Sequence, residues 1–124
     1  MADSPQPRLG FGRSMRIKQG RDFARVKREG RRMVCGLFIA NWQTLPLGSM
    51  NRLGVITSKA IGNAVTRVRA RRLLRETFRR HQHDFAQPVD FVLVAQKQIV
   101  GKKLPDVETA FMAMLRKARL MKTE

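Results

Sequence analysis

The spacing of apolar and polar positions divides the chain into six predicted elements. Short apolar runs with β-branched and aromatic residues predict strands at Met33–Trp42, Arg52–Thr57 and Asp90–Gln96. Apolar residues that recur every three or four positions predict helices at Gly20–Gly30, Ala64–Gln82 and Pro105–Met121. The connection between the first two strands, residues 44–51, is short and contains Pro and Gly. We therefore expect these two strands to be antiparallel neighbours.

The order of the elements is helix, strand, strand, helix, strand, helix. This order predicts an α/β (α+β) fold built as a two-layer sandwich. Residues 1–12 hold two Pro and two Gly and few apolar residues, so we expect a flexible N-terminal segment there. Residues 13–124 are expected to form a single domain, which suits a chain of 124 residues.

The predicted helix 64–82 has one apolar face and one strongly basic face. Asn63 is placed to cap its first turn, because its side chain can accept a hydrogen bond from a free backbone amide. The core-facing stripe has six members: Thr66, Ala70, Leu73, Leu74, Thr77 and Phe78. On the other side Arg72, Arg75 and Arg79 follow one line. Like charges at helical spacing repel, so this line is unfavourable unless an anion lies along it.

The overall charge points to a polyanionic partner. The chain carries 26 Lys and Arg against 9 Asp and Glu, a net charge of +17, and Arg outnumbers Lys by 18 to 8. Arg presents a planar fork that matches phosphate and stacks on bases, whereas Lys is a point charge. This excess favours nucleic acid over an anionic membrane or an acidic protein. Apolar residues make up 43% of the chain, which argues against a wholly disordered basic tail.

No catalytic, metal or membrane motif is evident. His81 and His83 are the only histidines, and two positions apart on a helix they point in nearly opposite directions, so no metal site is expected. No nucleophile or phosphate-loop motif is present, so no protein catalytic residue is expected either. The apolar runs are too short to span a bilayer. Cys35 is the only cysteine, which suits a thiol-reducing cytoplasm.

The stretch Leu53–Arg79 resembles the signature of the protein subunit of bacterial ribonuclease P. The residues that carry the resemblance are Ser58, Lys59, Gly62, Asn63, Arg67, Arg69, Arg71, Arg72, Arg75 and Phe78. The pair Asp22-Phe23 resembles the family's first helix, and the resemblance extends over about residues 9–120. Two positions depart from the pattern. Val68 replaces the Asn that is usual between the arginines at positions 67 and 69. Lys27 stands one turn after Phe23, where relatives often carry a second aromatic residue.

The resemblance implies a fold with a left-handed βαβ crossover and a role in endonucleolytic removal of the 5′ leader from precursor tRNA. The implied partners are the ribonuclease P RNA subunit, which is the catalyst and holds Mg²⁺, and precursor tRNA. No membrane, small-molecule substrate or protein-bound cofactor is implied. The expected RNA-binding residues on the arginine helix are Asn63, Arg67, Arg69, Arg71, Arg72, Arg75 and Arg79. The expected leader-binding residues are Phe23, Lys27, Phe38 and Lys59.

Other functions remain open at this point. A ribosomal protein or an RNA chaperone fits the composition equally well, and the basic helix could enter a DNA major groove. Strands rather than a helix are expected before Asn63, which disfavours a helix-turn-helix. Phe23 and Phe38 each have a second interpretation, because both could be core residues.

Overall fold

The computed structural model describes residues 15–122, so the predicted flexible segment 1–12 lies outside the described residues. The main elements of this range are α1 (Gly20–Glu29), β1 (Arg31–Val34), β2 (Phe38–Thr44), β3 (Arg52–Ile56), α2 (Ala64–His81), β4 (Val89–Ala95) and α3 (Leu104–Lys117). The three predicted helices are present, although the last one ends four residues earlier than expected. The predicted α+β fold is confirmed.

One predicted strand is in fact a hairpin. The apolar run Met33–Trp42 forms β1 and β2, which pair antiparallel with Val34 opposite Ile39. Gly36 lies in the turn between them and has a φ of 79°, a backbone conformation that other residues rarely adopt. The apolar character of the run continues through this turn, so hydrophobicity alone did not reveal the reversal.

The predicted pairing of the first two predicted strands, which correspond to β2 and β3, is wrong. The sheet order is β1-β2-β4-β3, so β4 lies between β2 and β3. β4 is antiparallel to β2 and parallel to β3. Six of the seven residues of β4 are buried, and a strand that is apolar on both faces is most stable in a central position. Residues 45–51 connect β2 to β3, so they must cross the end of β4 and cannot form a tight hairpin.

The main core lies between the sheet and the helices α2 and α3. Four fully buried rings fill it: Phe38, Phe78, Phe91 and Phe111. A smaller cluster lies on the opposite face of the sheet, where Val26 of α1 packs near Ile17 and Val92. Helix α1 thus covers part of the face that α2 and α3 leave open.

The predicted amphipathic character of α2, with a buried apolar stripe and an Asn63 cap, is confirmed. The Asn63 side-chain oxygen accepts hydrogen bonds from the backbone amide and the hydroxyl of Thr66, both at 2.9 Å. The buried residues of the helix are Ala70, Leu74, Thr77 and Phe78. Within residues 15–122, no helix combines the length and the apolar character needed to cross a membrane.

Candidate nucleic-acid interface

Three arginines form a ridge along the side of α2 next to β3. Arg67, Arg71 and Arg75 are spaced four residues apart, which places them one above another on the helix. The Arg67 guanidinium donates to the Gly62 carbonyl at 3.0 Å. The Arg71 guanidinium donates to the Thr57 hydroxyl at 2.7 Å. These bonds hold two of the guanidinium groups in place without neutralising them.

Arg75 is partly buried and lies near two other positive charges. Partial burial lowers its pKa, and the positive charges of Arg16 and Arg71 lower it further. Arg16 reaches this position because its backbone forms a bridge with Leu53 in β3. The sequence had not singled out Arg16, because only the tertiary structure brings residue 16 beside α2. The repulsion among like charges at one site is reduced when an anion such as phosphate binds between them.

Two further arginines extend the basic surface around the helix. Arg69 and Arg72 are exposed, and within residues 15–122 neither side chain forms an ion pair or a hydrogen bond. Val68 lies beside them and is only partly buried. At this position the surface offers a methyl-bearing side chain instead of an amide.

The predicted line of unpaired arginines is shorter than expected. Arg79 donates to both carboxylate oxygens of Glu76, at 2.8 and 2.6 Å, and Arg80 donates to the same carboxylate at 2.9 Å. These hydrogen bonds lower the pKa of Glu76 to about 2. Arg79 is therefore partly neutralised within the helix, whereas Arg67, Arg71 and Arg75 form no ion pair with a described carboxylate.

Phe23 and Lys27 lie one turn apart on α1. The Phe23 ring is partly buried against the backbone of Gly54 in β3, and Lys27 is exposed. A Cβ atom at position 54 would stand 2.5 Å from Phe23 Cε1, so only glycine allows this approach. An aromatic ring and a cation thus share one edge of α1.

An apolar row lies on the sheet face beside α1. The register places Val34, Ile39, Val94 and Ile56 directly opposite one another across all four strands. Ile39, Val94 and Ile56 are only partly buried, and Val34 is 64% exposed. Together with Phe23 of α1, which packs on the same cluster as Ile56 and Val94, this row forms an apolar surface that we call the groove. Sequence reasoning missed the row, because it depends on a strand order that the chain does not reveal directly.

The remaining two predicted leader-binding residues have different positions. Lys59 is exposed and follows β3 in a short turn. Phe38 is fully buried between the sheet and α3, with its ring centroid 6.4 Å from that of Phe111. The prediction that Phe38 offers a ring to a single strand is therefore corrected. Its side chain points to the core face, while its neighbour Ile39 points to the groove.

A buried ion network contacts the middle of α1, at Arg25. Asp90, at the start of β4, is fully buried and accepts hydrogen bonds from Arg52 at 2.9 and 2.8 Å and from Arg25 at 2.8 Å. Burial alone would raise the pKa of Asp90, but the hydrogen bonds from Arg52 and Arg25 outweigh it and hold the pKa below its usual range. Arg25 also donates to the Gln43 side chain. The network joins α1 to three strands.

His81 connects two helices through a pair of carboxylates. His81 lies between two carboxylates, 2.9 Å from Asp84 and 2.9 Å from Glu108, and so links the end of α2 to α3. Residues 15–122 hold no group of three or more His, Cys, Asp or Glu that could bind a metal ion.

The chain is similar to members of one known protein family. The model of the family Ribonuclease P matches residues 11–119. The Ribonuclease P protein component of Clostridium acetobutylicum is 31% identical over 107 residues, which cover 86% of this chain and 90% of that protein. That of Desulfatibacillum aliphaticivorans is 34% identical over 97 residues, 78% of this chain and 81% of that protein.

Two solved structures have the same fold. The Staphylococcus aureus RNase P protein superposes with a TM-score of 0.77 at 25% identity, over 87% of this chain and 98% of that chain. The RNase P protein from Thermotoga maritima superposes with a TM-score of 0.71 at 23% identity, over 82% and 96% of the two chains, and supports the fold alone. The family match over most of its length shows that this chain belongs to the Ribonuclease P family, as a protein component.

Proposed function

We propose that this chain is the protein subunit of ribonuclease P and assists removal of the 5′ leader from precursor tRNA. Its α2 surface binds the catalytic RNA subunit, and the groove beside α1 binds the single-stranded leader and so tightens substrate binding. The observation that carries the proposal is the presence, in one small domain of this family, of two chemically different surfaces. One is a dense arginine surface, and the other combines an aromatic ring, an apolar floor and lysines.

The arginine surface suits a folded RNA. Arg67, Arg71 and Arg75 stand in one row on a rigid helix, and Arg69 and Arg72 extend the surface around it. A structured RNA presents its phosphates at fixed positions, which rigidly held guanidinium groups can match. Repulsion among the arginines is relieved when phosphates lie between them, so binding favours this arrangement.

The groove suits an unpaired strand. Proteins bind single strands by stacking bases on aromatic rings within a positively charged channel. Phe23 supplies a ring, the row from Val34 to Ile56 supplies apolar contact, and Lys27 and Lys59 supply charge. Mature tRNA has no leader to fill this groove, so the protein distinguishes substrate from product.

Chemistry at the scissile phosphate is assigned to the RNA subunit. We expect Mg²⁺ to be held by that RNA, and the protein to supply binding and orientation only. We place the reaction in the cytoplasm, where precursor tRNA is made. Purified protein should not cleave precursor tRNA, whereas protein with RNA subunit and Mg²⁺ should. Cleavage by nuclease-treated protein free of RNA would contradict this assignment.

Reconstitution with variants tests the assignment of the arginine surface. Arg72→Ala combined with Arg75→Ala should weaken assembly with the RNA subunit, whether or not the substrate carries a leader. The matched control is Arg116→Ala combined with Lys117→Ala, which removes the same charge from exposed positions on α3. If both double variants weaken assembly equally, net charge alone drives binding and the assignment to α2 is wrong.

Phe23→Ala tests the assignment of the groove. This variant should leave assembly nearly intact and weaken binding of precursor tRNA by about 1–3 kcal/mol, the usual contribution of one base stacked on an aromatic ring. Binding of leaderless tRNA should not change. Circular dichroism establishes that the variant is folded, and equal losses for both tRNAs in a folded protein would contradict the leader assignment.

A further inference from the structure

The orientation of α1 on the sheet depends on few apolar contacts. The helix has ten residues, and Val26 is its only buried one. Helices this short are marginal in water without tertiary contacts. The position of Phe23 and Lys27 relative to the groove is therefore set by whatever else fastens α1 to the sheet.

Arg25 fastens α1 to the sheet through its charged side chain. Viewed down the helix axis, Phe23 and Arg25 lie on opposite sides of Val26, about 160° apart at 100° per residue. Phe23 packs on Gly54 on one side, and Arg25 reaches Asp90 and Gln43 on the other. Rotation of α1 about its axis would break one of these two attachments.

Asp90 has a fixed position in the sheet and so can anchor the Arg25 side chain of α1. Its side chain is fully buried within β4, a central strand of the sheet, and its carboxylate accepts two hydrogen bonds from Arg52 besides the one from Arg25. Removal of Arg25 leaves Asp90 paired with Arg52, so the effect of losing the α1 attachment can be separated from loss of the fold. Within α1 itself, the Asp22 carboxylate oxygen Oδ1 lies 3.7 Å from Nη2 of Arg25.

We propose that Arg25 and Asp90 are positioning residues for leader recognition: their ion pair fixes the rotation of α1 and thereby places Phe23 and Lys27 over the groove. This proposal rests on the leader assignment made above. Neither residue needs to contact RNA, because the two terminal nitrogens of Arg25 already donate to Gln43 and Asp90 within the protein. The pair determines how well the holoenzyme distinguishes precursor from mature tRNA.

The alternative is that Arg25 binds a leader phosphate directly. The two roles give opposite results for Asp90→Asn. If Arg25 binds phosphate, removal of its carboxylate partner leaves Arg25 available and keeps or improves leader binding. If the pair positions α1, then Asp90→Asn and Arg25→Gln lose the same preference, and the double variant loses no more than either single one.

The test measures affinity of the reconstituted holoenzyme for precursor and leaderless tRNA, with the ratio as the readout. Arg25→Gln should reduce the ratio about fivefold or more, which is what loss of one stacked base would cause. Assembly with the RNA subunit should stay unchanged. Arg52→Gln is the matched control, because it removes the other partner of Asp90 and the same charge. It should lower the melting temperature but change the ratio less than twofold.

Salt dependence gives a second readout that needs only Arg25→Gln. Loss of a phosphate contact reduces the slope of log affinity against log salt by about one. Displacement of the Phe23 ring leaves the slope unchanged, because the flexible stem of Lys27 still lets its ammonium group reach a phosphate after a small rotation of α1. A reduced slope, or an unchanged ratio in Arg25→Gln, would overturn the proposal. If Asp90→Asn does not fold, the slope and the Arg52→Gln control still decide.

Phe23→Ala separates failure of this inference from failure of the leader assignment. If Phe23→Ala reduces the ratio and Arg25→Gln does not, the positioning role is wrong while the groove still binds the leader. If neither variant changes the ratio, the leader assignment itself is wrong, and the inference is overturned with it.

Discussion

The ring of Phe23 lies so close to Gly54 that a Cβ atom there would stand 2.5 Å from Phe23 Cε1 and 2.7 Å from Cζ. The two residues belong to α1 and β3, which contact each other across the open face of the sheet. A glycine in a strand ordinarily weakens it, so its presence here indicates a close approach that the fold requires. The position of the aromatic ring thus depends on a residue without a side chain.

Gly54→Ala should therefore displace Phe23. We expect the free energy of unfolding to fall by about 1–3 kcal/mol, the usual effect of overpacking, and the preference for precursor over leaderless tRNA to decrease. Thermal unfolding and the affinity ratio measure the two effects. Gly20→Ala is the control, since nothing lies within 4 Å of a Cβ atom at that position. A Gly54→Ala protein with wild-type stability and preference would show that the contact is unimportant.

Binding to the RNA subunit should fall steeply with salt. If roughly six to ten phosphates are contacted, the affinity should drop about 10³- to 10⁵-fold between 50 and 200 mM monovalent salt. The Arg72→Ala, Arg75→Ala variant should reduce the slope by about two, one for each lost phosphate contact. Filter binding or fluorescence anisotropy over a salt series measures both quantities. A nearly flat plot would contradict phosphate binding by this surface.

Acid should destabilise the protein through Asp90. Its pKa is lowered in the folded state, so its charge contributes stability above the ordinary value near 3.8, and this contribution is lost as pH falls through the folded pKa. Glu76, with a pKa of about 2, has the same sign, but its effect should be smaller because the side chain is about a third exposed.

Urea unfolding between pH 2 and 6 checks this expectation. Asp90→Asn should be destabilised at neutral pH by about 1–3 kcal/mol, since it removes the charged acceptor of hydrogen bonds from Arg25 and Arg52, whose side chains stay 26% and 31% exposed to water. Its stability should also vary less with pH than that of the wild type. Parallel pH curves for the two proteins would mean that Asp90 does not titrate with unfolding.

Phe38 and Phe23 should respond oppositely to truncation. Phe38→Ala should lower the free energy of unfolding by about 3–5 kcal/mol, because the ring is fully buried beside Phe111. Under conditions where the variant is folded, its preference for precursor tRNA should equal that of the wild type. Chemical unfolding and the affinity ratio test this, and a specific loss of leader preference in folded Phe38→Ala would contradict its placement as a core residue.

Local patterns were enough to place the helices and the basic surface. The Asn63 cap and the buried stripe of α2 depend on contacts within a few residues, so periodicity and capping chemistry predict them. The resemblance in the stretch 53–79 indicated the family that the comparisons then showed. Phe23 was also singled out, through the resemblance of Asp22-Phe23 to the family's first helix.

Strand order could be decided only by the tertiary structure. The turn at Gly36 and the central position of β4 depend on how all four strands share two buried faces, which is not a local property. That order determines which residues face the groove. It sends Phe38 to the core, aligns Val34 with Ile56 through two intervening strands, and brings Arg16 beside Arg75. It also brings Asp90 within reach of Arg25, a contact between residues 65 positions apart. The amino-acid order determined the charge, the helices and the family, whereas pairing of distant segments decided which side chains share a surface.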